Sequence, residues 1–217
     1  MQKISKLITK SIVFISMSIA VALPASADTY TDLRDVTNKL ITEDEDNLSI
    51  ILNNAARGDT QNQILAGVIN QAGVAVKQDY KQAMNWYMKA AFERDVKAQY
   101  LIGFLHDNGL GVKQDHDVGF EWFKQAADQG DPWGQIAVSR GYYKGLGVKR
   151  DYAKAIEWAE KGAEQDHPVS QLLLALYYSD EKTGLQDPKK SKKWAEASCR
   201  NGNDSACEYI LKGPDKK

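Results

Sequence analysis

The sequence predicts an all-α protein, a right-handed α-solenoid of helix-turn-helix repeats with a 36-residue period. Three columns of identical residues recur at that interval over four copies, which chance does not explain. A fixed period of this length is typical of a chain that stacks one small helical unit on the next. The columns are the tryptophans Trp86, Trp122, Trp158 and Trp194, the aspartates Asp79, Asp115, Asp151 and Asp187, and the glutamines Gln63, Gln99, Gln135 and Gln171.

The unit is clearest in the copy over residues 96–127. Apolar residues at helical spacing predict a first helix over 96–107. Gly109 is suited to the left-handed conformation that ends helices, and Asp115 is placed to cap the second helix at its N-terminus. Neither helix can bury its apolar surface alone, so we expect the tryptophan column to pack between stacked repeats as structural core. Its members are Trp86, Trp122, Trp158 and Trp194.

The stretch AQYLIGFLHDNGLGVKQDHDVGFEWFKQAA resembles the Sel-1-like repeat, a relative of the tetratricopeptide repeat. The resemblance covers residues 61–211 through the pattern A-Q-x-x-x-G, G-x-G-V-x-x-D and W-x-x-x-A-A. The first copy departs from it at Ala75, which replaces the second turn glycine. The third copy departs at Ser139, Arg140 and Gly141, and in the last copy residues 181–184 replace the glycine turn.

The sequence divides the chain into four parts. Residues 1–27 are predicted to be a signal peptide, 59–212 about four repeats with a C-terminal capping helix, and 213–217 a polar tail. Residues 28–58 predict a degenerate capping helix pair, Thr31–Thr42 and Asn47–Arg57, joined by an acidic connection over 43–46. Such a pair would hide the open end of a solenoid.

The N-terminus predicts export. Three lysines precede an apolar run over 12–23, and Ala25-Ser26-Ala27 supplies a small-x-small cleavage site. We expect cleavage after Ala27 and a periplasmic protein without stable membrane insertion, with secretion or an uncleaved anchor as the alternatives. The leader carries three of the 28 basic residues and none of the 29 acidic ones, so the mature chain has 25 against 29, a net charge of −4. This balance argues against nucleic acid as a partner.

Both cysteines lie in the last unit, and an oxidising compartment permits a bridge between them. The resemblance implies more, because Cys199 and Cys207 have the eight-residue offset at which cysteine-rich Sel-1-like proteins bridge adjacent helices. A catalytic dithiol is the alternative, but such pairs usually have two intervening residues.

The sequence offers little catalytic or metal-binding chemistry, and we expect no cofactor and no metal. His106 and His116 flank a turn rich in aspartate, but they occupy positions where other copies have tyrosine, which favours packing over metal binding. Ser179 and Lys182 fit S-x-x-K, and Lys182-Thr183-Gly184 fits K-T-G, both motifs of penicillin-recognising enzymes. Some cysteine-rich relatives bind or slowly hydrolyse penicillins, so weak penicillin-binding or β-lactamase-like activity stays an alternative.

The resemblance implies which side of each first helix lines a concave groove. The groove would be an apolar stripe with aromatic residues and a lone arginine, the composition of interface hot spots. Arg140 is the most informative member, because the neighbouring copy has Phe104 there; Ile136 could equally be packed between helices. The predicted partner-binding residues are Ile64, Val68, Lys97, Tyr100, Phe104, Trp133, Ile136, Arg140, Tyr143 and Lys144.

These observations predict a monomeric, non-enzymatic protein that binds another protein. Proteins that this chain resembles serve as envelope assembly or regulatory adaptors, and some are periplasmic immunity proteins that block a secreted toxic enzyme such as a phospholipase. A small, exported, acidic chain suits the immunity role, with an adaptor or a host-interaction factor as alternatives.

Overall fold

A computed structural model describes residues 34–35, 37–39, 41 and 46–212 of the chain. The predicted signal peptide over 1–27 and the predicted tail over 213–217 lie outside the described residues. So does much of the predicted helix Thr31–Thr42 and nearly all of the acidic connection over 43–46. The described residues among 34–41 are helical.

From residue 47 onwards the described chain is a series of antiparallel helix pairs. Each helix packs against the next along the chain, and α6 also contacts α8. The prediction of an all-α solenoid is therefore confirmed. The helices are α1 Asn47–Ala56, α2 Thr60–Ala72, α3 Tyr80–Phe92, α4 Val96–Asn108, α5 His116–Asp128, α6 Pro132–Lys144, α7 Tyr152–Ala163, α8 Pro168–Ser179, α9 Pro188–Arg200 and α10 Asp204–Lys212, with a short 3-10 helix at Glu181–Thr183 before α9.

Aspartates and left-handed residues set the helix ends, as the sequence predicts. Asp115 accepts the Val118 N–H at 3.0 Å at the start of α5, and Gly109 ends α4 at φ +68°. Of the copies that depart from the repeat pattern at the turn, the first keeps the left-handed conformation at the position of the second turn glycine and the last does not. Ala75 adopts φ +56°, the conformation that Gly111 supplies in the next copy. In the last copy the 3-10 helix replaces the glycine turn.

The tryptophan column lies between repeats, but its members are buried to different degrees. Trp158 is buried in the core of the third repeat, whereas Trp86, Trp122 and Trp194 are half-buried against the clusters around them. Lys161 lies over the face of the Trp158 ring, with its Nζ 3.7 Å from the ring centroid. Lysines also lie over Trp86 and Trp194, so this column combines packing with cation–π contacts at its solvent edge.

In the four repeats the first helices are α2, α4, α6 and α8, and the second helices are α3, α5, α7 and α9. The glutamine column, on the first helices, joins the ends of successive second helices. The amide of Gln171, on α8, donates to the Ala163 carbonyl at 3.2 Å and accepts from the Asn201 side chain at 2.9 Å. Ala163 ends α7 and Asn201 follows α9, so one buried side chain holds two second helices in register. We call the equivalent contacts the glutamine spine: Gln99 with Gln129 at 2.7 Å, Gln135 with Gln165 at 2.9 Å, and Gln171 with Asn201.

The first repeat lacks this contact. Gln63 donates to the Ala55 carbonyl at 3.3 Å, but its buried Oε1 has no hydrogen-bond partner among the described residues. The position that supplies the donor in later repeats is Glu93, which is exposed and whose carboxylate has no N–H to give.

Candidate functional site

One cleft of about 220 Å³ opens between the first helices α4 and α6, with α5 behind it. Four of the predicted partner-binding residues lie on its walls: Tyr100, Phe104, Arg140 and Lys144. We call this feature the α4–α6 cleft. Its lining is Tyr100, Phe104, Asp107, Asn108, His116, Phe120, Phe123, Ala137, Arg140, Gly141, Lys144 and Leu146.

Glycines on the first helices allow aromatic rings to form the back of the cleft. A Cβ on Gly103 would stand 2.7 Å from the Phe123 ring, and a Cβ on Gly141 would stand 2.7 Å from the Phe120 ring. Both rings therefore need a first helix without a side chain at that position. Phe123 also contacts Tyr100 at a centroid distance of 5.5 Å, so the aromatic surface is tightly packed.

The two walls of the cleft differ in charge. On α4, Asp107 lies 2.6 Å from the Nδ1 of His116 across the cleft's end. On α6, Arg140 and Lys144 are exposed and one helical turn apart. Within the described part of the chain, neither cation has a carboxylate oxygen within 4.0 Å. The α6 wall thus presents two uncompensated positive charges beside an apolar surface.

Next to the cleft, Tyr143 belongs to a second aromatic group rather than to the lining. Its ring stacks on Tyr177 with centroids 4.6 Å apart and contacts Tyr152 at 5.3 Å. Its hydroxyl donates to Asp180, and this hydrogen bond raises the pKa of Tyr143 to about 12 and lowers the pKa of the Asp180 carboxyl. Asp180 therefore stays ionised near neutral pH, bound to Tyr143.

Trp133 also lies outside the lining, at the start of α6. Its ring meets His167 edge-on with centroids 4.9 Å apart. His167 caps α8 by accepting the Ser170 N–H at its Nδ1, and burial lowers the pKa of His167 to about 4. A neutral imidazole is required for this acceptor role, which fits a helix cap more closely than a binding site. Lys97, at the start of α4, is half-buried and does not line the cleft either.

The prediction that Ile64 and Val68 present their side chains to a partner is wrong, and for Ile136 the structure favours the alternative of packing between helices. Ile64 and Val68 are 1% and 0% exposed, and Ile136 is 6% exposed. The reason is the stacking itself, because Tyr100 and Phe104 of the next first helix pack against the cluster that contains Ile64 and Val68. The column formed by Val68, Phe104 and Arg140 therefore runs from the core in the first repeat to the surface in the third.

The sequence assigns three cleft residues to other roles. The repeat pattern makes His116 a replacement for a packing tyrosine, and it places Phe120 and Phe123 on the apolar surface of the second helix. The usable signal is Gly141, one of the three positions at which the third copy departs from the repeat pattern. Its missing side chain admits Phe120 and leaves room beside Arg140.

The serine and lysine motifs of the last repeat form a turn. Ser179 Oγ donates to the Leu176 carbonyl at 2.9 Å. The Thr183 hydroxyl is buried and donates to the Asp180 carbonyl at 2.8 Å. Both hydroxyl protons are thus used by backbone acceptors, as expected of residues that hold the 3-10 helix in place.

The predicted bridge between Cys199 and Cys207 is confirmed. It joins the last turn of α9 to α10, with the two Cα atoms 4.8 Å apart. No group of three potential metal ligands occurs among the residues that the structure describes. None of the described helices has the length and apolar character needed to span a membrane.

The comparisons with known proteins agree with this architecture. The Sel1 repeat model matches residues 63–91, 96–131, 134–167 and 168–203. No curated protein matches the chain. Among solved structures, the chain is similar to a Sel1 repeat protein from Oxalobacter formigenes, with 24% identity, a TM-score of 0.72 and coverage of 84% of this chain and 77% of that one.

Two further structures share the fold. One is a protective antigen present in uropathogenic Escherichia coli strains, with 24% identity, a TM-score of 0.68 and coverage of 83% of this chain and 40% of that one. The other is an immunity protein from Pseudomonas aeruginosa, with 15% identity, a TM-score of 0.56 and coverage of 93% of this chain and 69% of that one. At these identities the likeness concerns the fold.

Proposed function

This chain belongs to the Sel1 repeat family, whose repeats generally serve as non-enzymatic scaffolds for protein–protein interaction, and from this premise we propose that it binds one partner protein through the α4–α6 cleft. The observation that carries the proposal is the cleft's composition. Aromatic rings form its back, and two exposed cations stand on one wall. Aromatic residues and arginine are the types that dominate binding free energy at protein interfaces.

We further propose that the chain acts in the periplasm as an immunity protein that binds and neutralises a secreted toxic enzyme such as a phospholipase. The predicted cleavable leader and the negative charge of the mature chain support this role. The fold shared with the Pseudomonas aeruginosa immunity protein is compatible with it.

The first experiment is affinity capture from the envelope extract of the producing cell, with residues 28–217 as bait. The test variant combines Arg140→Glu with Lys144→Glu. The control variant combines Lys189→Glu with Lys193→Glu, which reverses two exposed cations with the same spacing on α9. Because Lys193 also lies over the Trp194 ring, circular dichroism checks that the control is folded like the wild type. We expect one partner that the wild type and the control retain and the cleft variant loses. Equal capture by all three proteins would refute the cleft as the binding site.

The immunity role needs a separate test in cells. Deleting the gene should make cells sensitive to a toxin encoded beside it, and expression of the wild type or the α9 control should restore growth. The cleft variant should not restore it at equal protein level. Full growth of the deletion strain under toxin expression would exclude the immunity role and leave the binding proposal to be judged by capture.

A further inference from the structure

The residues that line the α4–α6 cleft indicate the chemistry of the partner segment that it binds. We propose that the cleft takes one aromatic side chain of the partner while Arg140 and Lys144 bind acidic side chains next to it in the partner's sequence. This inference rests on the proposed function, because it names the partner segment for the same site.

The size of the cleft favours a single anchoring side chain. Its volume is about 220 Å³, below the roughly 300–1,000 Å³ of pockets that enclose a free small molecule. Interface hot spots, by contrast, are side chains inserted into small, well-packed pockets. The back of the cleft suits a ring, because Phe120 and Phe123 are fixed against helix positions that only glycine leaves open. Aromatic pairs prefer edge-to-face or offset contacts, which such fixed rings offer to an incoming one.

Arg140 and Lys144 determine the charge of the neighbouring residues. Like charges four residues apart on a helix destabilise it, and a bound carboxylate would relieve that repulsion. Arginine adds geometric preference, since its planar guanidinium can donate two parallel hydrogen bonds to one carboxylate. The opposite wall carries one carboxylate, Asp107, which lies 2.6 Å from His116 Nδ1, so we expect the acidic residues of the partner on the α6 side of the cleft.

The lysines of the second helices can be compared with Arg140 and Lys144. Lys124 pairs with Asp128, and Lys161 with Glu157, each one turn apart. On α9, Lys190 and Lys193 lie over the rings of Tyr178 and Trp194. On the second helices, compensation by neighbouring side chains is therefore the common arrangement, whereas Arg140 and Lys144 on α6 have no carboxylate oxygen within 4.0 Å among the described residues.

A protein segment fits these charges better than a nucleic acid. Two cations could neutralise two phosphates, whereas nucleic-acid sites generally use many phosphate contacts. The mature chain, with 25 basic and 29 acidic residues, would repel a polyanion elsewhere. A short acidic and aromatic segment needs only the local charge of the cleft.

A displayed library of random seven-residue peptides, flanked by Gly-Ser linkers so that no free C-terminus is present, tests the proposal directly. It would be panned against residues 28–217 as wild type, as Arg140→Glu with Lys144→Glu, and as the α9 control. We expect the wild type and the control to enrich peptides with Asp or Glu beside Phe, Tyr or Trp. A synthetic peptide from that set should bind the cleft variant at least tenfold more weakly.

A second variant tests the binding of the partner's aromatic side chain without changing the charge of the cleft. Ala137→Leu places extra carbons in the lining, so it should weaken the same peptide while circular dichroism and the unfolding midpoint stay unchanged. Enrichment of the same peptides on the cleft variant, enrichment without acidic residues, or no enrichment on the wild type would each overturn the proposal. Capture of a partner that the cleft variant loses, combined with any of these results, would leave the proposed function standing. Peptide enrichment as expected with no partner captured would refute the proposed function alone.

Discussion

The glutamine spine and the α4–α6 cleft are both built at the junctions between helices, but only the spine is repeated. Gln99, Gln135 and Gln171 each accept from a side chain 30 residues further on, with nearly the same distance each time. The cleft occurs where Arg140 and Gly141 break the repeat. The contrast indicates that identity between copies maintains the stack, whereas departures from it create the cleft that we propose as the binding site.

The largest effect should come from breaking the spine at its centre. Gln135 is buried, so Gln135→Ala leaves a cavity and removes one of the acceptors of Gln165, whose amide also donates to backbone carbonyls. We expect a loss of about 2–4 kcal/mol in the free energy of unfolding, measured by urea denaturation. Gln125→Ala, at an exposed position of α5, is the control and should change stability by less than about 0.5 kcal/mol. Equal effects of the two substitutions would show that the spine does not stabilise the stack.

The disulfide bridge secures the last link of the spine, because Asn201 lies inside the loop that it closes. Replacing both cysteines with serine should lower the free energy of unfolding by about 2–3 kcal/mol, as expected for a short closed loop. Hydrogen exchange should show the loss of protection concentrated in α9 and α10. Unchanged protection there would indicate that packing alone holds α10.

The first repeat allows the opposite experiment, in which the spine is completed. Glu93→Gln supplies the N–H that Gln63 Oε1 lacks and should raise the free energy of unfolding by about 1 kcal/mol. Glu93→Ala removes the charge without adding a donor and should give no such gain. A gain of equal size from both substitutions would attribute the effect to charge rather than to the hydrogen bond.

The sequence predicts the fold because local residues determine it. The aspartate caps and the left-handed glycines act on their own helix ends, so their spacing is enough to place each helix pair. The glutamine column is equally visible, but its function depends on a donor 30 residues away, and the sequence pattern does not reveal that partner.

The candidate site could be predicted only in part, for a related reason. Val68 and Arg140 occupy the same column, and position within a helix indicates which face a residue shares but not what covers that face. Phe104 of the next repeat helps to cover the cluster that contains Val68, whereas Arg140 remains exposed. Burial at each junction depends on the volumes of residues contributed by two repeats, so the cleft is identified only once the repeats are stacked.

The smallest effect on stability should come from the substitution with the largest expected effect on binding. Arg140→Glu acts on an exposed side chain and replaces a repulsive pair by a carboxylate four residues before Lys144, the favourable order of charges on a helix. We therefore expect the free energy of unfolding to stay equal or to rise by about 0.2–0.5 kcal/mol, while partner binding is lost. A residue that serves stability would show the reverse, since its replacement would weaken the fold and leave binding by the folded protein intact. A drop of more than about 1 kcal/mol on Arg140→Glu would place Arg140 with the spine as a structural residue.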